Sequence, residues 1–322
     1  MINRISDKPP LLSLCICVWN TSHLLKRSIR TYCNQDFPAE DWELIIIDDN
    51  SDDNVLDAIS YAIGKINFTY VRLNHPHGMR GNTVAFNTAF EIARGFIIAE
   101  TTAETLFQPD IVRKMYELHI SIPAHKKYPA VYHENRFVSF KTYNLTQETQ
   151  LLIDTVNWIT DLDFIKTLPG FDCAWTKNNE DKTHFGTHQT CSIRKDTFYR
   201  IWGPKGFPLY CDYGSEDPAY CGLRERMGIE DITVMSPMPI HQWHLPFQYW
   251  MAKGKGTNFN KHAHTMENYM HDTSGEVPEG GTCMIWDGGS HEQLSEQECA
   301  DWAKWDEMFL KTGGDIKCLE QK

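Results

Sequence analysis

The first 122 residues alternate short apolar runs with stretches that repeat apolar side chains at helical spacing. The apolar runs, each of a length typical of a buried strand, fall at residues 11–18, 44–47, 68–73 and 96–99. The helical stretches fall at residues 22–34, in a segment ending near residue 64, at residues 82–94, and between residues 109 and 123. Because strand and helix patterns alternate, the sequence predicts an α/β fold with a central, mostly parallel, Rossmann-like sheet flanked by helices.

The pattern is weaker after residue 123. Strands are predicted at residues 130–140, 187–193 and 232–235, helices at 217–228 and 295–310, and residues 151–164 are ambiguous. We therefore expect one α/β domain in two halves, residues 11–122 and 123–244, followed by an irregular extension at 245–322. That extension is rich in Gly, His and acidic residues, and we interpret it as a possible lid.

Composition narrows the class of protein. Lys and Arg number 31 against 43 Asp and Glu, which gives a net charge of −12 and argues against a general affinity for nucleic acid. The ten cysteines include no Cys-x-x-Cys pair, so reduced thiols are the simpler interpretation. No apolar run approaches the ~20 residues of a membrane span. The prolines and Asp7 near the start argue against a signal peptide, and we expect a cytoplasmic protein.

Acidic residues follow two of the predicted strands. Asp48 and Asp49 come directly after the second strand, and Glu104 follows the fourth after Thr102 and Ala103. The carboxyl ends of parallel strands meet at one edge of a sheet, where α/β proteins place their ligands. Carboxylates there can hold Mg²⁺ or Mn²⁺, although the same residue types are common in turns and helix caps.

Two later segments carry further candidate groups. Glu216 and Asp217 stand where a helix is predicted to begin, so they are either capping residues or a general base. His241 and His244 follow a predicted strand, and either imidazole is a potential metal ligand or an ordinary structural histidine. Arg80 lies in a glycine-containing loop before a helix, where it could contact an anionic or nucleotide ligand.

Taken together, these segments resemble family 2 glycosyltransferases of the GT-A fold. The most specific part is residues 43–53, which read Glu-Leu-Ile-Ile-Ile-Asp-Asp-Asn-Ser-Asp-Asp and match the family's acidic strand end. The resemblance implies that Asp49 binds the base or ribose of a nucleotide sugar, with Asp48 beside it. Val18 and Asn20, at the end of the first strand, match a further donor-binding segment.

The helix before the fourth strand extends the resemblance, since Asn87 matches a residue of the family's "Asn-x-Gly" helix. The family's Asp-x-Asp metal motif is here Thr102-Ala103-Glu104, so Thr102 and Ala103 are expected at the donor and only Glu104 as a metal ligand.

Further roles are implied by the same resemblance. His244, and after it His241, is expected to complete a Mn²⁺ or Mg²⁺ site. Asp217 is implied as the catalytic base, with Glu216 as its neighbour.

The implied activity is metal-dependent, inverting transfer of a sugar from a nucleotide-diphosphate donor, with UDP expected, to a hydroxyl of a glycan or other acceptor. The departure in the metal motif leaves a non-catalytic protein that binds nucleotide sugars or carbohydrate as the alternative. A nucleotidyltransferase is disfavoured because the chain has no glycine-rich phosphate loop.

Overall fold

A computed structural model of the 322-residue chain describes residues 1–73, 83–120, 136–145, 190–204, 206–207, 229–242, 284–287 and 290–293. The strands in these ranges are β1 (Ile2–Asn3), β2 (Leu12–Val18), β3 (Trp42–Asp48), β4 (Asn67–Arg72), β5 (Ile97–Thr102), β6 (Thr105–Leu106), β7 (Arg136–Phe140), β8 (Tyr143–Asn144), β9 (Thr190–Arg194), β10 (Glu230–Val234), β11 (Ile240–His241), β12 (Met284–Asp287) and β13 (Ser290–Gln293). The helices are α1 (Ser22–Tyr32), α2 (Val55–Ile59) with a 3₁₀ turn at Ser60–Ala62, α3 (Thr83–Ile92), α4 (Ile111–Ile120) and α5 (Lys195–Trp202).

The main sheet has eight strands in the order β1-β4-β3-β2-β5-β9-β7-β10. Strands β2, β3, β4 and β5 run parallel, β9 is antiparallel to β5 and β7, and β1 is an antiparallel edge strand. The predicted mostly parallel α/β sheet is therefore confirmed. The carboxyl ends of β2, β3, β4 and β5 lie along one edge, which carries the candidate site.

Helices cover both faces of the sheet, which explains why its central strands are continuous apolar runs. Every residue of β3 is buried, and β2 is buried except at Cys17. Leu14 and Ile16 belong to the core on the face of α1, α2 and α4, whereas Cys15 and Ile45 belong to the core on the face of α3 and α5. A one-residue slip in register would exchange these two faces.

Strand β5 extends further than its apolar run. The sequence predicts a strand at residues 96–99, and the structure continues it through Glu100, Thr101 and Thr102. Glu100 is held in register between Cys15 on β2 and Cys191 on β9, and the Cys191 thiol donates to its Oε1 at 3.0 Å. Because β5 is paired on both sides, the strand continues beyond the apolar residues that predict it.

Helix α5 was not predicted from the sequence. It begins directly after β9 and ends at Gly203, whose φ of 79° favours glycine. Asp196 Oδ1 accepts a hydrogen bond from the Thr197 amide in its first turn, and Phe198 and Ile201 face the core. Predictions for residues 130–135, 151–164, 187–189, 217–228 and 295–310 lie outside the described residues.

A second, small sheet lies beside the candidate site. It has the order β6-β11-β8, with β11 antiparallel to β6 and parallel to β8. A β12–β13 hairpin pairs within the C-terminal region. In the described part of the chain, no helix combines the length and hydrophobicity that crossing a membrane requires. Cys15, Cys17, Cys33 and Cys191 form no disulfide within the described residues, and burial raises the pKa of Cys33 to about 12.

Candidate functional site

Asp48, the last residue of β3, is wholly buried, and its carboxylate accepts hydrogen bonds from neighbouring residues. Its Oδ1 accepts from the Ser51 amide at 2.8 Å, and its Oδ2 accepts from the Tyr70 hydroxyl at 2.6 Å. The Arg72 guanidinium lies 3.5 Å from the same Oδ2. Burial, and then the hydrogen bond to Asp48, raise the pKa of Tyr70, so that the hydroxyl remains a donor. Asp48 is therefore a buried residue whose hydrogen bonds hold the end of β3 in shape.

Residues 48–53, named here the acidic loop, are joined to the end of β2. The Asp49 amide donates to the Val18 carbonyl at 2.8 Å, and Asp49 itself is buried. Asn20 has a φ of 52°, its amide donates to Ser51 Oγ at 3.1 Å, and its Oδ1 accepts from the Asp52 amide at 2.7 Å. Val18, Asn20 and Asp49, all predicted to bind the donor, thus meet in one small region.

The segment Thr102–Thr105, named here the Glu104 turn, follows β5 at the same edge of the sheet. The Thr102 and Thr105 hydroxyls are 2.7 Å apart and hydrogen-bonded. The Tyr32 hydroxyl, on α1, lies 2.9 Å from the Thr105 carbonyl and 3.3 Å from that of Thr102. Ala103 is buried against the core. Hydroxyl and carbonyl groups therefore fix the shape of this turn.

Glu104 faces an imidazole across the small sheet. Its Oε1 lies 3.3 Å from His241 Nε2, and each side chain is 15% exposed. The antiparallel β6–β11 pairing, which aligns Thr105 with His241, brings the two side chains together although they are 137 residues apart in sequence. The structure thus places one predicted metal ligand beside another.

Asn87, also predicted at the donor, uses both atoms of its amide in contacts with a neighbouring segment. Its Nδ2 donates to the Phe207 carbonyl at 2.8 Å, and its Oδ1 accepts from the Phe207 amide at 2.8 Å. Gly206 has a φ of 75°, and a Cβ there would lie 2.4 Å from Asn87 Oδ1. Asn87 therefore joins α3 to residues 206–207, which follow α5.

Several groups that shape the site were not predicted. Tyr70 and Arg72 on β4 hold Asp48, Tyr32 holds the Glu104 turn, and Gln242, which follows β11, bonds to that turn. Local sequence patterns give no signal for these contacts, because each joins elements that are distant along the chain.

The other predicted site residues, Arg80, Glu216, Asp217 and His244, lie outside the described residues, and their roles stay predictions. Within the described ranges, no group of three or more His, Cys, Asp or Glu side chains is arranged to hold a metal ion.

The similarity to solved structures shows that the chain has the GT-A fold. A crystallised fragment of S. aureus TarS superposes with a TM-score of 0.51 at 12% identity, covering 80% of this chain and 69% of that fragment. The sequence model of glycosyl transferase family 2 matches residues 13–200, more than half of the chain. The chain belongs to glycosyl transferase family 2.

Two curated relatives are polysaccharide synthases of Pasteurella multocida. Hyaluronan synthase is 28% identical over 158 residues, and chondroitin synthase is 28% identical over 150 residues. These matches cover 49% and 46% of this chain but only 14% of either synthase.

Proposed function

We propose that the protein transfers a sugar from a nucleotide-diphosphate sugar, UDP-linked, to a hydroxyl of a glycan or other acceptor, with inversion and with the help of a divalent metal. The observation that carries the proposal is the 3.3 Å contact between Glu104 Oε1 and His241 Nε2 at the carboxyl edge of the sheet. Glu104 belongs to Thr102-Ala103-Glu104, the segment that by resemblance corresponds to the family's Asp-x-Asp metal motif.

The pair fits a six-coordinate Mn²⁺ or Mg²⁺ ion. Adjacent ligands of an octahedral ion with bonds of ~2.1 Å lie about 3 Å apart, close to the separation of Glu104 Oε1 and His241 Nε2. Both side chains are partly exposed, so the diphosphate and water have access to the remaining positions. We propose Glu104 and His241 as ligands, with His244 as a further candidate. The ion would neutralise charge that develops on the departing diphosphate.

The donor side of the site is proposed at the acidic loop and the end of β2. Asp49 would bind the base or ribose and so fix the orientation of the nucleoside. Val18 and Asn20 border Asp49, and Thr102 and Ala103 would face the donor from the Glu104 turn. Arg80 is proposed to contact the anionic part of the donor. Asp48 and Asn87 would contribute to donor binding indirectly, by holding in place the segments to which they are hydrogen-bonded.

Proton transfer is assigned to Asp217. Its carboxylate would take the proton of the acceptor hydroxyl while that oxygen forms a bond to the anomeric carbon. The bond from the anomeric carbon to the diphosphate breaks, and the nucleoside diphosphate leaves with the electron pair. Attack from the face opposite the diphosphate inverts the sugar. Glu216 would hold the acceptor beside the base.

Two findings support the choice of substrates. The curated relatives are named hyaluronan synthase and chondroitin synthase, and we propose polysaccharide synthesis on that basis. The TarS fragment has also been crystallised in complex with UDP-GlcNAc. On that basis we propose a UDP-linked donor for this chain.

A panel of UDP- and GDP-sugars, offered to the full chain with and without Mn²⁺, tests the proposal. We expect a UDP-sugar to raise the melting temperature more with Mn²⁺ than without it, since a ligand stabilises the state it binds. We also expect transfer or slow hydrolysis of the same sugar. Binding without either reaction would favour the alternative, a binding protein on the same fold.

The Asp217→Asn variant separates binding from chemistry. We expect it to bind the donor as the wild type does, with turnover lower by about 10²-fold or more, because the amide cannot accept the hydroxyl proton. Near-normal turnover would move the base to another residue.

A further inference from the structure

Gln242, which follows His241, is completely buried and bonds to two elements of the site. Its backbone amide donates to the Glu104 carbonyl at 3.1 Å, and its side-chain Nε2 lies 3.0 Å from the same oxygen. The same Nε2 also lies 3.1 Å from the Leu24 carbonyl and 3.1 Å from Ser28 Oγ, both on α1. One amide group thus joins the Glu104 turn, β11 and α1.

These bonds restrain both members of the Glu104–His241 pair. Glu104 is held through its own carbonyl, and His241 is held because it ends β11 directly before Gln242. Helix α1 packs in the core through Leu25, Ile29 and Tyr32, which gives the bonds a fixed anchor. Without the Nε2 contacts, the Gln242 backbone amide and the two-residue strands β6 and β11 would still join the Glu104 turn to His241, but the bonds that tie them to α1 through Gln242 would be lost.

We infer that Gln242 is a positioning residue for the metal site and sets the separation of Glu104 and His241 that the ion requires. The inference rests on the proposed metal role of that pair. A site whose Asp-x-Asp motif has become Thr102-Ala103-Glu104 has fewer protein ligands, so its affinity depends more strongly on their alignment. Hydrogen bonds behind the ligands commonly change metal affinity by ~10–100-fold.

Gln35 offers a matched control at the other end of α1. Its Nε2 donates to the Thr31 and Gln108 carbonyls at 3.0 Å each, and its Oε1 accepts from the Val112 amide at 3.1 Å. Gln35 follows α1 and therefore makes the same kind of bridge to the same helix, but its other bonds reach Gln108 and α4 instead of the Glu104 turn. Loss of Gln35 should reduce stability without moving the ligand pair.

The experiment titrates Mn²⁺ alone into the full chain and measures bound ion by electron paramagnetic resonance, with melting temperatures recorded in parallel. We expect Gln242→Met, which keeps the size of the side chain but removes its donors, to weaken Mn²⁺ affinity at least 10-fold. Gln35→Met should lower the melting temperature and change Mn²⁺ affinity less than 2-fold. With Glu104→Ala already present, Gln242→Met should weaken Mn²⁺ affinity by a smaller factor than in the wild-type background, because the part of its effect that passes through Glu104 is already lost.

Each outcome decides between the proposals. Equal Mn²⁺ affinity in wild type and Gln242→Met, or an undiminished effect of Gln242→Met in the Glu104→Ala background, would overturn the positioning role and leave the metal site standing. Absence of Mn²⁺ binding to the wild type would overturn the metal site itself and this inference with it. If Gln242→Met does not fold, Gln242→Asn keeps the amide but shortens its reach, and the same criteria apply to it.

Discussion

The acidic loop at residues 48–53 and the Glu104 turn both lie at the carboxyl edge of the sheet, after strands on either side of β2, but they use their carboxylates differently. In the acidic loop, Asp48 is bonded to Ser51 and Tyr70, and Asp53 accepts from the Ser22 amide at 2.7 Å. In the Glu104 turn, the internal bonds are made by hydroxyl and carbonyl groups, and the Glu104 carboxylate faces an imidazole.

This contrast separates acids that are hydrogen-bonded within the edge of the sheet, such as Asp48, from Glu104, for which we propose a role in binding a metal ion. A carboxylate fully bonded within the protein contributes mainly to stability, because removing it leaves buried donors unsatisfied. A carboxylate in a turn whose shape is held by other groups can be replaced by another side chain without loss of the fold. Substitutions of Asp48 and Glu104 should therefore give opposite results in stability and in ligand binding.

The largest effect is expected for Asp48→Ala. The change leaves the buried Tyr70 hydroxyl and Ser51 amide without their acceptor, at a cost of about 3–4 kcal/mol in the free energy of unfolding. Chemical denaturation measures this loss. Asp48→Asn, which keeps the shape and an acceptor oxygen, should lose clearly less. Equal stability of Asp48→Ala and wild type would show that the acidic loop does not depend on this carboxylate.

A second prediction concerns the dependence of stability on pH, which sets the pH range in which the two regions can be compared. His119 on α4 bonds to Ser192 Oγ at 3.0 Å, and burial, followed by the nearby Arg136, lowers its pKa to about 4. The unfolded chain, with a histidine pKa near 6.5, binds this proton first as the pH falls. The histidine's contribution is therefore complete above pH ~6.5 and is lost progressively towards pH ~4, by about 3 kcal/mol.

His119→Gln, which keeps a hydrogen-bonding group but does not titrate, tests this assignment. Denaturant titrations at several pH values should show a shallower fall in unfolding free energy for the variant than for the wild type between pH ~6.5 and ~4. Parallel curves would place the acid sensitivity elsewhere. Titrations with Mn²⁺ that test the proposed role of His241 are best made above this range, where unfolding of the protein is not mistaken for loss of metal binding.

Much of the first half of the fold could be predicted from the sequence, because its signals are local. The run at residues 44–47 has helices on both faces of the sheet, so hydrophobicity alone marks it as a strand. Strands β6 and β11 have two residues each and pair across a long separation in sequence, so no local pattern marks them.

The candidate site divides in the same way. Asp49 and Glu104 could be found by motif and strand-end position, and both lie at the expected edge. The bonds of Tyr70 to Asp48 and of Gln242 to Glu104 depend on three-dimensional register, which the sequence does not display. The contact of His241 with Glu104 likewise depends on the β6–β11 pairing, and His244 stays a prediction.

Glu104→Ala tests the other member of the comparison. We expect Mn²⁺ affinity to fall by about 10–100-fold, with a loss of less than about 1 kcal/mol in stability, because the shape of the turn is held by other groups. Mn²⁺ titration and denaturation on the same preparation give both values. A large loss of stability with unchanged Mn²⁺ affinity would make Glu104 a structural acid like Asp48 and remove the contrast.

The smallest effect concerns Asn20, which joins the acidic loop to β2. Its φ of 52° is costly for residues with a Cβ other than Asn or Asp, and its Oδ1 accepts from the Asp52 amide. Asn20→Ala loses both advantages and should destabilise the protein by about 1–2 kcal/mol, whereas Asn20→Gly keeps the backbone conformation and should lose about 1 kcal/mol less. Denaturation measures both losses of stability.

Binding of a UDP-sugar to Asn20→Gly then reports on the Asn20 side chain alone. An affinity for the UDP-sugar within 2-fold of wild type would make Asn20 a structural residue of the acidic loop, whereas a larger loss would place its side-chain amide at the donor, as the resemblance implies.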